Sequence, residues 1–150
     1  PVCRDRAVCK QEVLPMKQYG KANIVAGLWV MAFFMAYGFL LIYLRDFAPG
    51  KEAWIAGSAN GPHFESRLAH VHGNLFSLLN ILIGFLLLKL PLAGGFARWS
   101  SWLALGGLLM PAGILGEVYL GLSPVFVLIG AASILAAAVT LALGVGRAKL

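Results

Sequence analysis

Four stretches of this chain stay apolar long enough to cross a lipid bilayer, and the polar residues between them fall into short turns with one exception. A helix needs roughly 20 mostly apolar residues to span the hydrocarbon core, and that length is reached over about Ala22–Leu44, Leu68–Leu88, Ser101–Leu120 and Pro124–Val145. The predicted fold is all-α, an integral-membrane four-helix bundle with almost no water-soluble mass. The exception is the segment from Arg45 to Arg67, which mixes glycine and proline with Trp54, His63 and Phe64. Connections of that length are either functional lids or disordered. The other links are tight, "LKLPLAGGFARW" after the second span and "GLSP" before the fourth. Pro111 falls inside the third span, where a missing backbone donor predicts a kink.

Composition agrees with a membrane setting. Only 12% of positions are charged and 60% are hydrophobic, against roughly a quarter charged in a soluble domain. The net charge of +6 points to no nucleic-acid partner, because the basic residues sort by membrane side. Arg4, Arg6, Lys10, Lys17 and Lys21 precede the first span, Lys89 and Arg98 flank the second turn, and Arg147 and Lys149 end the chain. On the other side Arg45, Lys51 and Arg67 are diluted by Asp46, Glu52 and Glu65. The positive-inside rule then places both termini in the cytoplasm, and a bacterial inner membrane is the expected location.

Residues 1–15 form a short charged tail, and 16–150 a single transmembrane domain. Cys3 and Cys9 match no haem-attachment or common zinc spacing, and two thiols do not complete a four-ligand site. Two readings of the tail stay open: a native segment able to form a disulfide, or sequence upstream of a natural start at "MKQYGKANIVAGLW". A cleaved signal peptide is not expected, since the first apolar run is too long for one.

Periodicity separates the faces of the second span. At about 100° per residue, His70, Gly73, Asn74, Ser77, Asn80 and Gly84 share one polar and small stripe, while His72 points nearly opposite, beside Phe76. His70 is the candidate for a site inside the bundle, and His72 for a headgroup, loop or neighbouring-subunit contact. The fourth span carries Gly130, Ser133, Ala137, Thr140 and Gly144 on one face, a pattern that lets helices pack closely in lipid.

Topology places the start of the second span and the end of the third at similar depth. His70, Asn74, Glu117 and Tyr119, with His63 from the loop, are expected to converge there. An intramembrane carboxylate is expensive enough to mark a functional site by default, whereas either asparagine, Asn74 or Asn80, also suits an interhelical hydrogen bond. Neutral imidazole is a common metal ligand and a common axial ligand of haem iron. Three chemistries follow: haem on His70, with His72 or His63 as weaker ligands; metal-free proton transfer between His70 and Glu117; or a zinc or copper ion held by His63, His70 and Glu117.

The order of these features resembles the membrane-bound styrene oxide isomerases. The likeness runs in layout from Lys17 to Leu120: four spans, a long polar loop rich in Gly and Pro, a second helix opened by "SRLAH", and a third, "GGFARWSSWLALGGLLMPAGILGEVYL", with a tyrosine close to its end. The resemblance implies a small homotrimer binding haem b between subunits through a histidine near the start of the second helix. It implies opening of an epoxide on ferric iron and a hydride shift to an aldehyde, without net redox change. His70 then takes the axial-ligand role, with Gly73 and Ser77 beside it on the cofactor face, and Tyr119 the substrate-site role. The sequence departs from the family at two positions. The asparagine expected six residues beyond the histidine is Phe76, flanked by Asn74 and Asn80, and the acidic residue of the third helix corresponds to Pro111, with Glu117 following it.

The leading expectation is an aryl-epoxide isomerase with haem b on His70, in which Tyr119 and Asn74 or Asn80 orient the oxygen and Glu117 supplies a carboxylate. Its rival is a non-catalytic small subunit of a larger membrane complex, structural or carrying haem for electron transfer.

Overall fold

The computed structural model describes residues 6–148, with side chains described for 18–148. Cys3 lies outside the described residues, and the side chains of Cys9 and the rest of the expected tail lie outside those described. The chain forms α1 (Arg6–Asp46), α2 (Lys51–Ala56), α3 (Gly61–Lys89), α4 (Gly94–Gly107), α5 (Leu109–Leu120) and α6 (Val125–Arg147), with a 3-10 turn at Gly57–Ala59. No strand occurs among the described residues. Four helical stretches are long and apolar enough to cross a membrane: Gln18–Asp46, Gly61–Lys89, Gly94–Leu120 and Val125–Arg147. The protein is therefore an all-α membrane protein with four spans. Its outward faces carry Trp29, Phe39, Trp102 and Leu128, each more than 60% exposed, a surface suited to lipid rather than water.

Three local features depart from the apolar pattern. The third span is two helices, because Pro111 has no N–H for the carbonyl one turn back. Before it the ladder tightens, with Leu108 N–H on the Leu105 carbonyl at 3.1 Å, and after it the ladder resumes with a stretched bond from Ala112 N–H to the Leu108 carbonyl at 3.4 Å. The expected kink is a break at Leu108. The second span starts about two turns before its apolar run, at Gly61, with Pro62 in the first turn where its fixed φ fits a helix start. His63, read as a loop residue from the sequence, is consequently helical and buried. The long connection is also mostly ordered, since α2 and the 3-10 turn occupy Lys51–Ala59.

The most extensive seam joins α1 to α3. A Cβ on Gly20 would lie 2.7 Å from the Gly84 carbonyl oxygen, and a Cβ on Gly84 would lie 2.6 Å from that of Gly20. Neither contact tolerates a side chain, so glycine at both positions sets how closely the backbones approach. On the opposite side of the bundle α6 packs its small stripe on α4 and α5: a Cβ on Gly130 would strike the Met110 backbone, and Ala137 is fully buried. That stripe is a packing face.

A buried polar clasp locks three helices together. Asn23 of α1 donates to Asn80 Oδ1 at 2.9 Å and to the Ser101 carbonyl at 3.2 Å, and accepts from Ser101 Oγ. Asn80 of α3 donates to the Phe76 carbonyl at 3.0 Å and to the Ala104 carbonyl of α4 at 2.9 Å. All three side chains are essentially inaccessible, and with no water at that depth each amide must be satisfied within the protein. Hydrogen bonds between membrane helices average about 0.6 kcal/mol each. Asn80→Leu, which removes two of them and a third bond within α3 and leaves an Asn23 donor unpaired, is expected to lower unfolding free energy by about 1–3 kcal/mol. Unfolding in mixed micelles checks this, and an unchanged midpoint would show the clasp to be dispensable.

Candidate functional site

His63, Arg67, His70 and Asn74 follow one another at spacings of four, three and four along α3, so they form a single stripe. That stripe and the facing side of α1, including Met35, Gly38, Phe39 and Ile42, line a groove of about 710 Å³. It lies at the end of the bundle where α1, α2 and α3 meet. The volume falls in the usual range for cofactor and ligand sites.

His70 is held in one protonation pattern. Its Nδ1 lies 2.8 Å from the carbonyl oxygen of Phe34, and a carbonyl only accepts, so Nδ1 carries the hydrogen and donates. In the neutral ring Nε2 is then the basic nitrogen. The same arrangement, a backbone carbonyl on one ring nitrogen, is how metal-binding histidines are usually oriented. The ring reaches that carbonyl because α1 has glycine at the contact: a Cβ on Gly38 would lie 2.5 Å from His70 Cε1. Asn74 donates to the His70 carbonyl at 2.9 Å. Its amide nitrogen is also 3.4 Å from Nδ1, but two donors do not bond, so that approach is packing.

His63 repeats the pattern toward the loop. Its Nδ1 donates to the Trp54 carbonyl at 2.6 Å, and its ring stacks on Trp54 with centroids 4.6 Å apart. The α2 segment is thereby fastened over the end of the groove. Arg45, at the same rim, is bound to Asp46 at 2.8 and 2.9 Å, the one salt bridge among the described residues.

Tyr119 lies elsewhere. Its hydroxyl is 3.0 Å from Ser66 Oγ and 3.0 Å from the hydroxyl of Tyr37, a chain of three hydroxyl groups from α1, α3 and α5. Tyr119 lines a second, apolar groove of about 720 Å³ between α1 and the α4–α5 span, with Trp29, Phe33, Phe34, Leu108 and Leu115 among its walls. The buried Phe34 separates the two spaces, its ring facing the second groove while its carbonyl receives His70.

The structure thus brings together His63, His70 and Asn74 of the expected cluster, and adds Arg67 and Gly38. Tyr119 sits across α1 from them. Glu117 is exposed on α5 and lines neither groove. Asn80 belongs to the clasp, Ser77 Oγ donates to the Gly73 carbonyl at 2.6 Å, and Gly73 makes room for the Phe34 ring, so these three build the wall behind the groove. His72 faces away, donating from Nδ1 to the Leu68 carbonyl at 2.9 Å and standing edge-on to Phe76. Among the described residues no three His, Cys, Asp or Glu side chains gather as a metal site. The zinc or copper site left open for His63, His70 and Glu117 is not assembled, and the proton-transfer pair of His70 and Glu117 makes no hydrogen bond.

Gly38, Tyr37 and Ser66 escaped sequence reasoning. Gly38 had a signal, since Gly20, Gly27 and Gly38 recur at spacings of seven and eleven, which fall on one helix face. Gly38→Val is expected to push the imidazole off the Phe34 carbonyl. Nitrogen-15 NMR of histidine-labelled protein checks this: the Nδ1–H form of His70 should give way to a mixture of tautomers. An unchanged pattern would place the ring elsewhere.

In comparisons with known proteins, no family model, no curated protein and no solved structure matches the chain.

Proposed function

We propose that the protein is a haem b-binding membrane isomerase that converts an apolar aryl epoxide to an aldehyde, set in a bacterial inner membrane with both termini cytoplasmic. The observation that supports this reading is the fixed tautomer of His70, a residue that lines a groove of about 710 Å³ and whose Nε2 is left as the basic nitrogen. The residues present suit the group: a histidine oriented from behind by a carbonyl, a largely apolar wall, and cationic side chains at one rim. When bound, ferric haem would supply an open Lewis-acid position for the epoxide oxygen.

The chain's own residues have defined tasks in such a reaction. His70 would hold the iron, and Phe34 and Gly38 fix its ring. Met35, Phe39 and Ile42 keep the groove dry, which matters because water would divert an opened epoxide to a diol. Asn74, beside His70, orients polar atoms in the groove. Tyr119, already hydrogen-bonded to Ser66, is the donor suited to a substrate oxygen, and the apolar groove it lines is open to lipid, the phase in which an aryl epoxide dissolves. His70 and Tyr119 lie on opposite sides of α1, so one chain's groove has to face another chain's tyrosine. A homotrimer would bring them together.

The rival reading, a haem-carrying subunit for electron transfer, requires a second axial nitrogen. His63 shares the groove but stands on the same stripe about two turns away, beside His70 rather than across from it. Within one chain His63 would therefore not be placed to share a metal with His70 from the opposite side, and a second nitrogen would have to come from His72 of a neighbouring copy or from a partner, which supports substrate binding as the first reading.

Purified protein is expected to show a Soret band that shifts on dithionite reduction, disappears in His70→Ala and persists in His72→Ala. The haem-loaded protein should convert styrene oxide to its aldehyde without added reductant, and Tyr119→Phe should slow turnover by roughly 10- to 1,000-fold while leaving the spectrum unchanged. A Soret band retained by His70→Ala would remove the reading.

A further inference from the structure

The rim of the His70 groove carries a charge that the isomerase reading does not use. Arg67 lies three residues before His70 on the same stripe, one turn nearer the loop, and lines the same groove. Arg45 enters that rim from α1 but is already paired in two contacts with Asp46. Arg67 has no ion-pair partner among the described residues. Its nearest acidic neighbour in sequence, Glu65, is two residues away and so projects from a different side of the helix. The cationic groups of the groove thus sit at one end, with an uncompensated guanidinium, Ser58 and the ordered His63 at the loop end beside Ile55, then His70, then Asn74 with the apolar side chains of Met35 and Phe39.

We infer that Arg67 is the carboxylate anchor of this groove, binding the acidic side chains of the macrocycle whose iron His70 holds. This rests on the haem reading and adds to it the class and orientation of the ligand. A guanidinium presents a rigid fork of donors that matches a carboxylate through two parallel hydrogen bonds. Placed one turn from an axial ligand, it selects a porphyrin bearing free acids and turns its acidic edge toward the loop and water. The vinyl edge is left to Met35 and Phe39, where a carboxylate would be buried unpaired. Arg45 is a secondary contact, since engaging a ligand would first disrupt its pair with Asp46. The α2 segment, pinned by Trp54 on His63, closes the rim behind the acids.

The test compares ferric protoporphyrin IX with its dimethyl ester, which keeps the iron and the ring but removes both acids. Each is titrated into apoprotein in detergent, followed by the Soret band. Wild type is expected to bind the free acid about tenfold to a hundredfold more tightly than the ester. Arg67→Gln should lose that preference by weakening the free acid alone, Arg67→Lys should recover part of it, and Arg45→Gln should change it less. Equal affinity of wild type for acid and ester would overturn the anchor while leaving His70 as the iron ligand. Failure of wild type to bind either compound, or undiminished binding by His70→Ala, would overturn the haem reading and the anchor together. Because the acid-to-ester comparison is made on wild type, it does not depend on how well any variant folds.

Discussion

The closeness of α1 to α3 is the constraint on which the rest of the structure depends. Lipid offers no hydrophobic force to push helices together, so approach is decided by shape and by hydrogen bonds. At one end the reciprocal contact of Gly20 and Gly84 brings backbone against backbone. At the other, Gly38 leaves space for a ring instead of a backbone, and that ring is His70. Between them the Asn23–Asn80–Ser101 clasp fixes rotation and register, because each amide has one arrangement in which its donors and acceptor are all met. A sub-ångström change in separation would cost His70 its carbonyl, and with it the single tautomer that makes Nε2 basic.

This arrangement divides the polar groups of α3 into two populations. Asn80, Ser77 and Gly73 serve the seam, and their hydrogen bonds are spent inside it. His63, Arg67, His70 and Asn74 sit at the edge of the seam, where the helices diverge and a groove opens. The same helix thus supplies both the rigid backing and the edge of the groove, so the histidine is held by packed helices rather than by a loop. Tyr119 is held equally firmly, by Ser66 and Tyr37, but in a space on the other side of α1.

Much of the fold was legible because membrane insertion writes a strong signal: long apolar runs, an internal proline and a small-residue stripe on the last span each correspond to what is seen. The start of α3 was not, since its first two turns are polar and hydropathy stops at Leu68, while the helix is set by Asn60, Gly61 and Pro62. His70 could be chosen over His72 from periodicity alone, and the stripe placed Asn74 beside it. The partners of Asn80 could not be read, because Asn23 lies 57 residues away and nothing local marks it as a mate. Nor could the side of α1 on which Tyr119 falls, which depends on the break at Leu108 and the angle it gives α5. Glu117 looked costly in a span, but it stands three residues from the end of α5, where it reaches the surface.

The most direct measurement of the central claim, that His70 Nε2 binds iron, is the resonance Raman spectrum of the ferrous haem-loaded protein. The account predicts an iron–histidine stretching band in wild type, its loss in His70→Gly, and its return when free imidazole fills the space left by the ring. A band that survives in His70→Gly without imidazole would contradict the account and assign the iron to another residue.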